Sequence, residues 1–590
     1  MGSRTVNTSP AVTALSTRIE ATLAAAIRRA LPGAEPMDPL VRRSDRADFQ
    51  ANAALALAKR TGRAPRGLGA DIAAAVDDEL IEAAEVSGPG FVNLTLTDAE
   101  LWRQTALRLA AGLGLPAPYA GSVTVVDYSA PNVAKQMHVG HLRSTLIGDA
   151  LARLLEALGG TVVRQNHLGD WGTQFGMLIQ YLDEHPGAAW HHAESDATAD
   201  IAVLDGLYRA SSALFRSDAA FAERARARVV VLQSGEEATL AVWRDLVAVS
   251  LAAFGEIYRR LGVGLSDADV AGESSYNPVL DEVTAELIKA GVAVESQGAL
   301  CVFDDAFTGP DGTPIPLIVR KTDGGYGYGA TDLATVRHRL LDLKAGRMLY
   351  VVDARQALHF AQVFAAARRM GWLGESHEVA HIAFGTVLGA DGRPFKTRSG
   401  DTVPLTSLLA SAVAGARAVV VEKNPDLDTA ELDRIAEMAG IGAVKYAELS
   451  TARTTDYRFD VDRMVSLNGD TGVYLQYAHA RLASILRKAG AEETPVDDGA
   501  PLNPSERALA LHLDAYAAVL AEAAELNEPH RISTYLFGLS KLFSSFWETS
   551  PVLKAETDAL RGNRLALVRL TRQTIHHGLS LLGIAAPERM

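Results

Sequence analysis

Cysteine is almost absent: Cys301 is the one thiol in 590 residues. That excludes a disulfide framework and any zinc site built from several thiolates, and makes a reducing cytoplasm the simplest home. Long apolar runs free of charge are missing too, so no segment is expected to span a membrane. The first residues lack the basic and then apolar pattern of a secretion signal, and Val6 stands where a myristoylation motif needs Ser or Thr. Positive charge is in deficit, with 57 Lys and Arg against 71 Asp and Glu, a net −14. Sequence-blind nucleic-acid binders work through overall or strongly clustered positive charge, so this composition argues against that class. A nucleic-acid partner met through local basic faces stays compatible with it.

A chain of this length is too long for one core, and about three or four domains are expected. With 48% hydrophobic and 22% charged residues it reads as a soluble globular protein. Its organising stretch runs from Val123 to Gly176. Val123 to Val126 form a β-branched run that ends at Ser129, Pro131 and Asn132, as a buried parallel strand entering a turn does. Leu142, Leu146, Ala150, Leu151, Leu154, Leu155 and Leu158 then recur at helical spacing up to a stop at Gly159-Gly160, and Val162-Val163 open a second strand. The loop between first strand and helix therefore lies where a doubly wound parallel sheet binds ligands. It holds Lys135, His138, Gly140 and His141 within seven residues. Two imidazoles and an ammonium at a helix N-terminus suit a polyphosphate, and Gly140 lets a base or ribose lie against the backbone.

His138-Val139-Gly140-His141 resembles the His-Ile-Gly-His signature of class I aminoacyl-tRNA synthetases. The longer Ser129-to-Thr145 run and Asn166-His167-Leu168-Gly169-Asp170-Trp171-Gly172-Thr173-Gln174 resemble arginyl-tRNA synthetases in particular. The resemblance covers nearly the whole chain. It implies a multidomain α/β protein: an N-terminal α+β domain over 1–115, a Rossmann-like catalytic domain over 116–404 with an insertion at about 185–315, and a helical stem and anticodon-binding domain over 405–590. It also implies the substrates L-arginine, ATP with Mg²⁺ and tRNA-Arg, no protein-bound structural metal, no membrane partner, and a monomer.

Residue by residue, the resemblance assigns Asp127, Ser129, Asn132, His138, Tyr328, Asp332 and Gln356 to arginine. Chemically, a guanidinium needs a planar carboxylate, which Asp332 supplies, and tolerates an aromatic face, which Tyr328 supplies four residues earlier. His138, Gly140, His141, Gly385, Val387 and Lys396 are assigned to ATP, with Gly385 permitting close approach of the adenine. Phe395-Lys396-Thr397-Arg398-Ser399 stands where most class I enzymes carry Lys-Met-Ser-Lys-Ser; the second lysine is missing, and Lys135 supplies that charge in the family. Lys135, His138, His141 and Lys396 are the expected catalytic groups. A further departure, Gly329-Ala330 in place of Ala-Thr, is expected to loosen the pocket wall.

Leu317-Ile318-Val319-Arg320 is expected to open the second half of the parallel sheet, followed by a strand at Met348 to Asp353. In the N-terminal part, Asp48-to-Ala54 and Gly88-Pro89-Gly90-Phe91-Val92-Asn93 resemble the domain that touches the tRNA elbow, so Phe91 and Asn93 are tRNA-binding candidates. His191-His192 reads as a solvated pair, because neighbouring histidines point apart and no third ligand stands at standard spacing. Beyond 405 the apolar spacing is helical throughout, and Tyr474-to-Arg481 and Gly583-to-Met590 resemble the anticodon-binding domain.

Three competing readings stay open. A cysteinyl-type class I enzyme would need a thiolate zinc site that one cysteine cannot make. A synthetase-derived arginine ligase with a non-tRNA acceptor would need neither terminal domain. A non-catalytic regulatory homologue should have lost some of Lys135, His138, His141 and Lys396.

Overall fold

The structure, a computed structural model, describes residues 11–33, 35–188, 197–389, 391–395, 403–423, 425–490 and 495–590. Lys396, its loop and His191-His192 lie outside the described residues.

The chain opens with α1 (Leu15–Ala30), β1 (Val41–Arg43), β2 (Phe49–Ala51), α2 (Ala53–Thr61), α3 (Pro65–Ala74), β3 (Ile81–Ser87), β4 (Phe91–Leu96) and α4 (Asp98–Ala110). The strands form an antiparallel sheet in the order β1-β2-β4-β3. In β4, Val92, Leu94 and Leu96 are buried, while Phe91, Asn93 and Thr95 take the other face, as the period of two requires. Thr97 caps α4 by accepting from the Glu100 N–H.

β5 (Val123–Asp127), α5 (Val139–Ala157), β6 (Thr161–Gln165) and α6 (Thr173–Glu184) follow. After the insertion come α11 (Tyr328–Leu341), β10 (Arg347–Tyr350), α12 (Ala357–Arg369), β11 (Glu378–His381) and β12 (Val387–Leu388). β5, β6, β10 and β11 make one parallel sheet in the order β11-β10-β5-β6. The direction of winding reverses between β5 and β10, so the crevice at their carboxyl ends is the topological switch point.

The insertion comprises α7 (Ala197–Ser217), α8 (Ala219–Gln233), α9 (Glu237–Leu261), α10 (Leu280–Lys289), β7 (Ala293–Ser296), β8 (Ala299–Val302) and β9 (Leu317–Arg320). β7, β8 and β9 pair antiparallel, which corrects the placement of Leu317–Arg320 in the parallel sheet. A short β-branched run satisfies either pairing, and here β8 precedes it closely enough to pair back on it. The expectation that no segment is long and apolar enough for a membrane span is likewise corrected. α9 and α13 (Leu405–Lys423) meet that criterion by length and composition. Both pack as helices of the fold: α9 buries Phe254, Ile257 and Tyr258, and α13 buries Leu405, Leu409 and Ala412.

After α13 the elements among the described residues are helices and one short strand: α14 (Thr429–Leu449), β13 (Tyr457–Arg458), α15 (Val461–Met464), α16 (Gly472–Ala489), α17 (Pro504–Asp514), α18 (Tyr516–Glu525), α19 (His530–Thr549) and α20 (Asp558–Leu581). β13 pairs in parallel with β12. The first and last parts of the chain meet through buried charge. Asp514 accepts from the Leu15 amide at 2.8 Å, from Gln104 Nε2 at 2.9 Å, and from Arg108 Nη2 at 2.6 Å, and Trp102 Nε1 donates to the Ala500 carbonyl at 2.9 Å.

Candidate active site

Beyond Asp127 the chain enters a strained turn. Ser129, Ala130 and Ala134 have φ of 72°, 46° and 61°, in the left-handed region that disfavours a Cβ. Each of their amides is held. Ser129 N–H donates to Ser144 Oγ at 2.9 Å, Ala130 N–H to Asn166 Oδ1 at 3.0 Å, and Ala134 N–H to Ser250 Oγ at 3.0 Å. The Ser129 hydroxyl lies 2.7 Å from that of Tyr258 and accepts from Thr145 Oγ1 at 2.9 Å. The Gly169 carbonyl accepts from Val133 N–H, and a Cβ at Gly169 would run into Asn132 Oδ1. The Asn166-to-Gln174 block thus frames the first loop.

His138 is the N-cap of α5. Its Nδ1 accepts from Gly140 N–H at 3.0 Å, and its own N–H donates to His141 Nδ1 at 3.1 Å. Both rings therefore spend Nδ1 as acceptor, which leaves Nε2–H as the donor each presents. Burial and the neighbouring Lys135 charge lower the His138 imidazole below its ordinary range; burial, His138 and Lys135 push His141 down to about 3. The pair is neutral and donates hydrogen bonds without adding charge. A Cβ at Gly140 would sit 2.8 Å from His138 Cε1, so the glycine makes room for that ring. The Lys135 ammonium lies 4.2 Å from the ring centre of Tyr208 on α7. The chain after the cationic loop returns here: Val139 N–H donates to the Val403 carbonyl at 3.2 Å, and Leu405 N–H to that of Met137 at 2.9 Å.

A cluster of carboxylates gathers at the start of α11. Asp332, on the first turns of α11, faces His359 Nε2 at 2.5 Å and His167 Nε2 at 3.9 Å. Glu273, in a 3-10 turn over Glu273–Val279, is pushed up to about 8 by burial and by the charges of Asp332 and Asp170. Asp170 itself is held by the Ser274 amide at 2.9 Å and hydroxyl at 2.6 Å. Tyr328, 73% exposed, and Glu273 line a cleft of about 740 Å³ together with Tyr208, Gln174 and Thr331. Clustered carboxylates of which one stays protonated are electrostatically incomplete and favour a cation. Glu273 carries no periodicity or motif in the sequence, so sequence reasoning missed it.

One expected arginine contact is engaged elsewhere. Asp127 Oδ2 accepts from the buried Arg339 Nη2 at 2.8 Å, leaving Oδ1 with no hydrogen-bond partner. Gln356 is exposed at the N-cap of α12, beyond the β10 carboxyl end. Asn132 is exposed on the strained loop, and Ser129 is buried by its hydroxyl partners. A Cβ at Gly329 would lie 2.7 Å from the Ile318 carbonyl, so β9 fills that wall and the glycine does not loosen it. At Gly385 a Cβ would lie 2.5 Å from Asp456 Oδ1 and 3.0 Å from the Thr455 carbonyl carbon. Its missing side chain admits the 455–456 backbone. Val387 is buried in β12.

Two remote faces carry aromatic and cationic groups. In the N-terminal sheet, Phe91 and Asn93 share one face, but Asn93 Oδ1 accepts from Gln50 Nε2 at 2.9 Å and its Nδ2 donates to Ser87 Oγ at 2.7 Å. On α16 and α19, Lys541 Nζ lies 4.2 Å from the Phe537 ring centre and the Arg481 guanidinium 5.4 Å from that of Trp547, with Tyr474 edge-on to Phe537 at 6.0 Å. Tyr477 and Met590 line an adjoining cleft of about 490 Å³ with Lys423 and Asn468.

The family described as tRNA synthetases class I (R), catalytic domain, matches residues 116–461. The arginyl tRNA synthetase N terminal domain matches 17–96, and the DALR anticodon binding domain matches 475–590. The chain is 59% identical over 592 residues to an arginine–tRNA ligase of Frankia casuarinae, covering 99% of this chain and 100% of that one. It is 51% identical over 583 residues to one of Streptomyces coelicolor, covering 98% and 100%. The solved arginyl-tRNA synthetase of Thermus thermophilus superposes with a TM-score of 0.81 at 28% identity, covering 98% of this chain and 100% of that one. These matches first define a class I aminoacyl-tRNA synthetase. Within that class, the chain belongs to the arginyl-tRNA synthetase family.

Proposed function

We propose the following division of labour for the arginine–tRNA ligase activity that family membership establishes. Asp332 and Glu273 receive the guanidinium, with Tyr328 beside it, because paired carboxylates match a planar forked donor. The gathering of Glu273 and Asp332, close enough that the second charge raises the first carboxyl, beside a cleft whose Tyr208 also meets the Lys135 ammonium, carries the reading. Asn132 and His138 orient the α-carboxylate, with Ser129 and Asp127 shaping the loop and strand end that hold them, and Gln356 closing the guanidinium end.

ATP enters as its Mg²⁺ complex, its base against the backbone of the Gly385–Val387 segment and not in the space of the missing Gly385 side chain, which residues 455–456 fill. The arginine carboxylate attacks the α-phosphorus in line, forming arginyl-adenylate as the bond to pyrophosphate breaks. A ribose hydroxyl of the tRNA 3′ end then attacks the activated carbonyl and releases AMP. The protein positions the reactants and stabilises developing charge: neutral His138 and His141 donate through Nε2–H, and Lys135 and Lys396 supply positive charge.

The Tyr474–Tyr477–Arg481 face, with Phe537, Lys541 and Trp547, receives anticodon bases by stacking, and Phe91 meets the elbow with Asn93 as its support. We set the units at 1–115, 116–404 and 405–590; the catalytic-domain match extends to 461, across the β13 strand that pairs with β12. We place the reaction in the cytoplasm, carried out by a monomer. Charging assays with arginine against citrulline, which keeps the shape but loses the charge, test the pocket: arginine should be charged onto tRNA-Arg and citrulline not. Equal charging of the two would overturn the carboxylate reading.

A further inference from the structure

Arg143 lies two residues beyond His141 on α5, yet faces away from the nucleotide loop into the protein. Its side chain is 1% exposed and that of Glu448, on α14, is 0% exposed. Arg143 Nε donates to Glu448 Oε1 at 2.6 Å, and Nη1 donates to the Thr455 carbonyl at 3.0 Å. The guanidinium lies 5.4 Å from the ring centre of Tyr457. One side chain therefore fixes the first catalytic helix, the stem helix α14, and the 455–457 segment that follows it.

That segment is the floor of the second signature. Thr455 and Asp456 occupy the space beneath Gly385. Tyr457 pairs with Val387 and Arg458 with Leu388, and Phe459 N–H donates to the Leu388 carbonyl at 2.9 Å. Phe395, at the entrance to the cationic loop, packs its ring 5.3 Å from that of Phe459. The exit of the same loop is bonded to the N-terminus of α5 through Val403 and Pro404. Phe395 is thus tied to residues held by Arg143, and Val403 and Leu405 to the start of the helix that carries Arg143.

A buried ion pair contributes little net stability compared with apolar side chains of similar volume, because both charges must be desolvated. Its directional bonds, however, hold three chain segments in one register. We propose that Arg143, Glu448 and Tyr457 are positioning residues that hold the two flanks of the cationic loop, at Phe395 and at Val403, in register with the His138–His141 helix, and tie that register to the helical stem. This rests on the assignment of both loops to ATP.

The test compares Arg143→Met and Glu448→Leu, singly and together, with the wild-type full-length chain. Each single variant strands a buried charge and should lower Tm. The double variant removes both charges and should regain Tm, while keeping kcat for adenylate formation at least tenfold depressed and KM for arginine within twofold, since the carboxylate cleft is untouched. In the same double variant, amide exchange at Val139, Phe395 and Leu405 should be faster than in wild type. That readout needs no activity, so it judges the positioning role even if the ATP assignment fails in wild-type assays. Recovery of kcat together with Tm, or unchanged exchange at those three amides, would overturn the proposal. If the double variant does not fold, Tyr457→Leu, which removes the ring beneath the guanidinium, and Arg143→Lys decide by the same kcat-against-KM split: a fall in kcat alone supports it, and a parallel rise in KM for arginine, or no effect, overturns it.

Discussion

The proposed place of Glu273 against the guanidinium couples arginine binding to a proton. Its carboxyl is held near 8 by burial, Asp332 and Asp170, so in the free enzyme at pH 7 roughly one molecule in eleven has it ionised. A guanidinium placed between Glu273 and Asp332 favours the ionised form. Binding at pH 7 should therefore release about 0.9 proton per arginine, and the apparent Kd should fall roughly tenfold from pH 7 to pH 9 before levelling. Calorimetry in buffers of different ionisation enthalpy reads both quantities. Glu273→Gln should bind like wild type at pH 6.5, where the wild-type carboxyl is protonated, and diverge from it as pH rises. The stability effect has a worked sign. A carboxyl raised in the folded state from its ordinary 4.5 binds more protons folded than unfolded between those values. It therefore costs stability as pH climbs through about 4.5 to 8, and bound arginine relieves that cost. The Tm gain on adding arginine should grow from pH 6 to pH 9. A pH-independent Kd, or an unchanged slope in Glu273→Gln, would refute the reasoning.

Four further outcomes are expected. Lys135→Ala should depress kcat at least about tenfold, the scale for losing a charged transition-state contact, as read by single-turnover adenylate formation; near-normal rates would show that Lys135 is not the compensating charge. Asp514→Ala strands Arg108 and leaves two other donors, the Leu15 amide and Gln104, without their acceptor, so it should cost about 3–5 kcal/mol of stability, measured by denaturant unfolding. Tyr477→Ala with Arg481→Ala should raise KM for tRNA while sparing KM for arginine and ATP. The Phe91→Ala, Asn93→Ala pair should do the same to a smaller degree, because Asn93 already spends its amide on Gln50 and Ser87.

The contiguous signals were legible in the sequence. The Val123–Val126 run, the stop at Gly159-Gly160 and the His138–His141 loop lie within 40 residues, and local periodicity with turn chemistry places them on a strand, a helix and the junction between them. What depends on partners far along the chain was not legible. Leu317–Arg320 reads as a strand, but its neighbour is decided by β8 and not by its own residues. Glu448 looks like one more helical glutamate until Arg143, 305 positions away, reaches it. Gly385 reads as space for a ligand, whereas the 455–456 backbone occupies that space. Glu273 sits in a 3-10 turn with no pattern around it; its meaning appears only when Asp332 and Asp170 are brought beside it. The aromatic and cationic side chains of α16 and α19 form one face only after the helices pack.

Arginine-dependent ATP–pyrophosphate exchange, run with and without tRNA-Arg, tests the reading most directly. Exchange that requires arginine and appears when tRNA is present is the expected result. Exchange with arginine alone would keep the chemistry and make a non-tRNA acceptor the better reading, and no exchange from folded protein under either condition would contradict the assignment of this cleft to arginine activation.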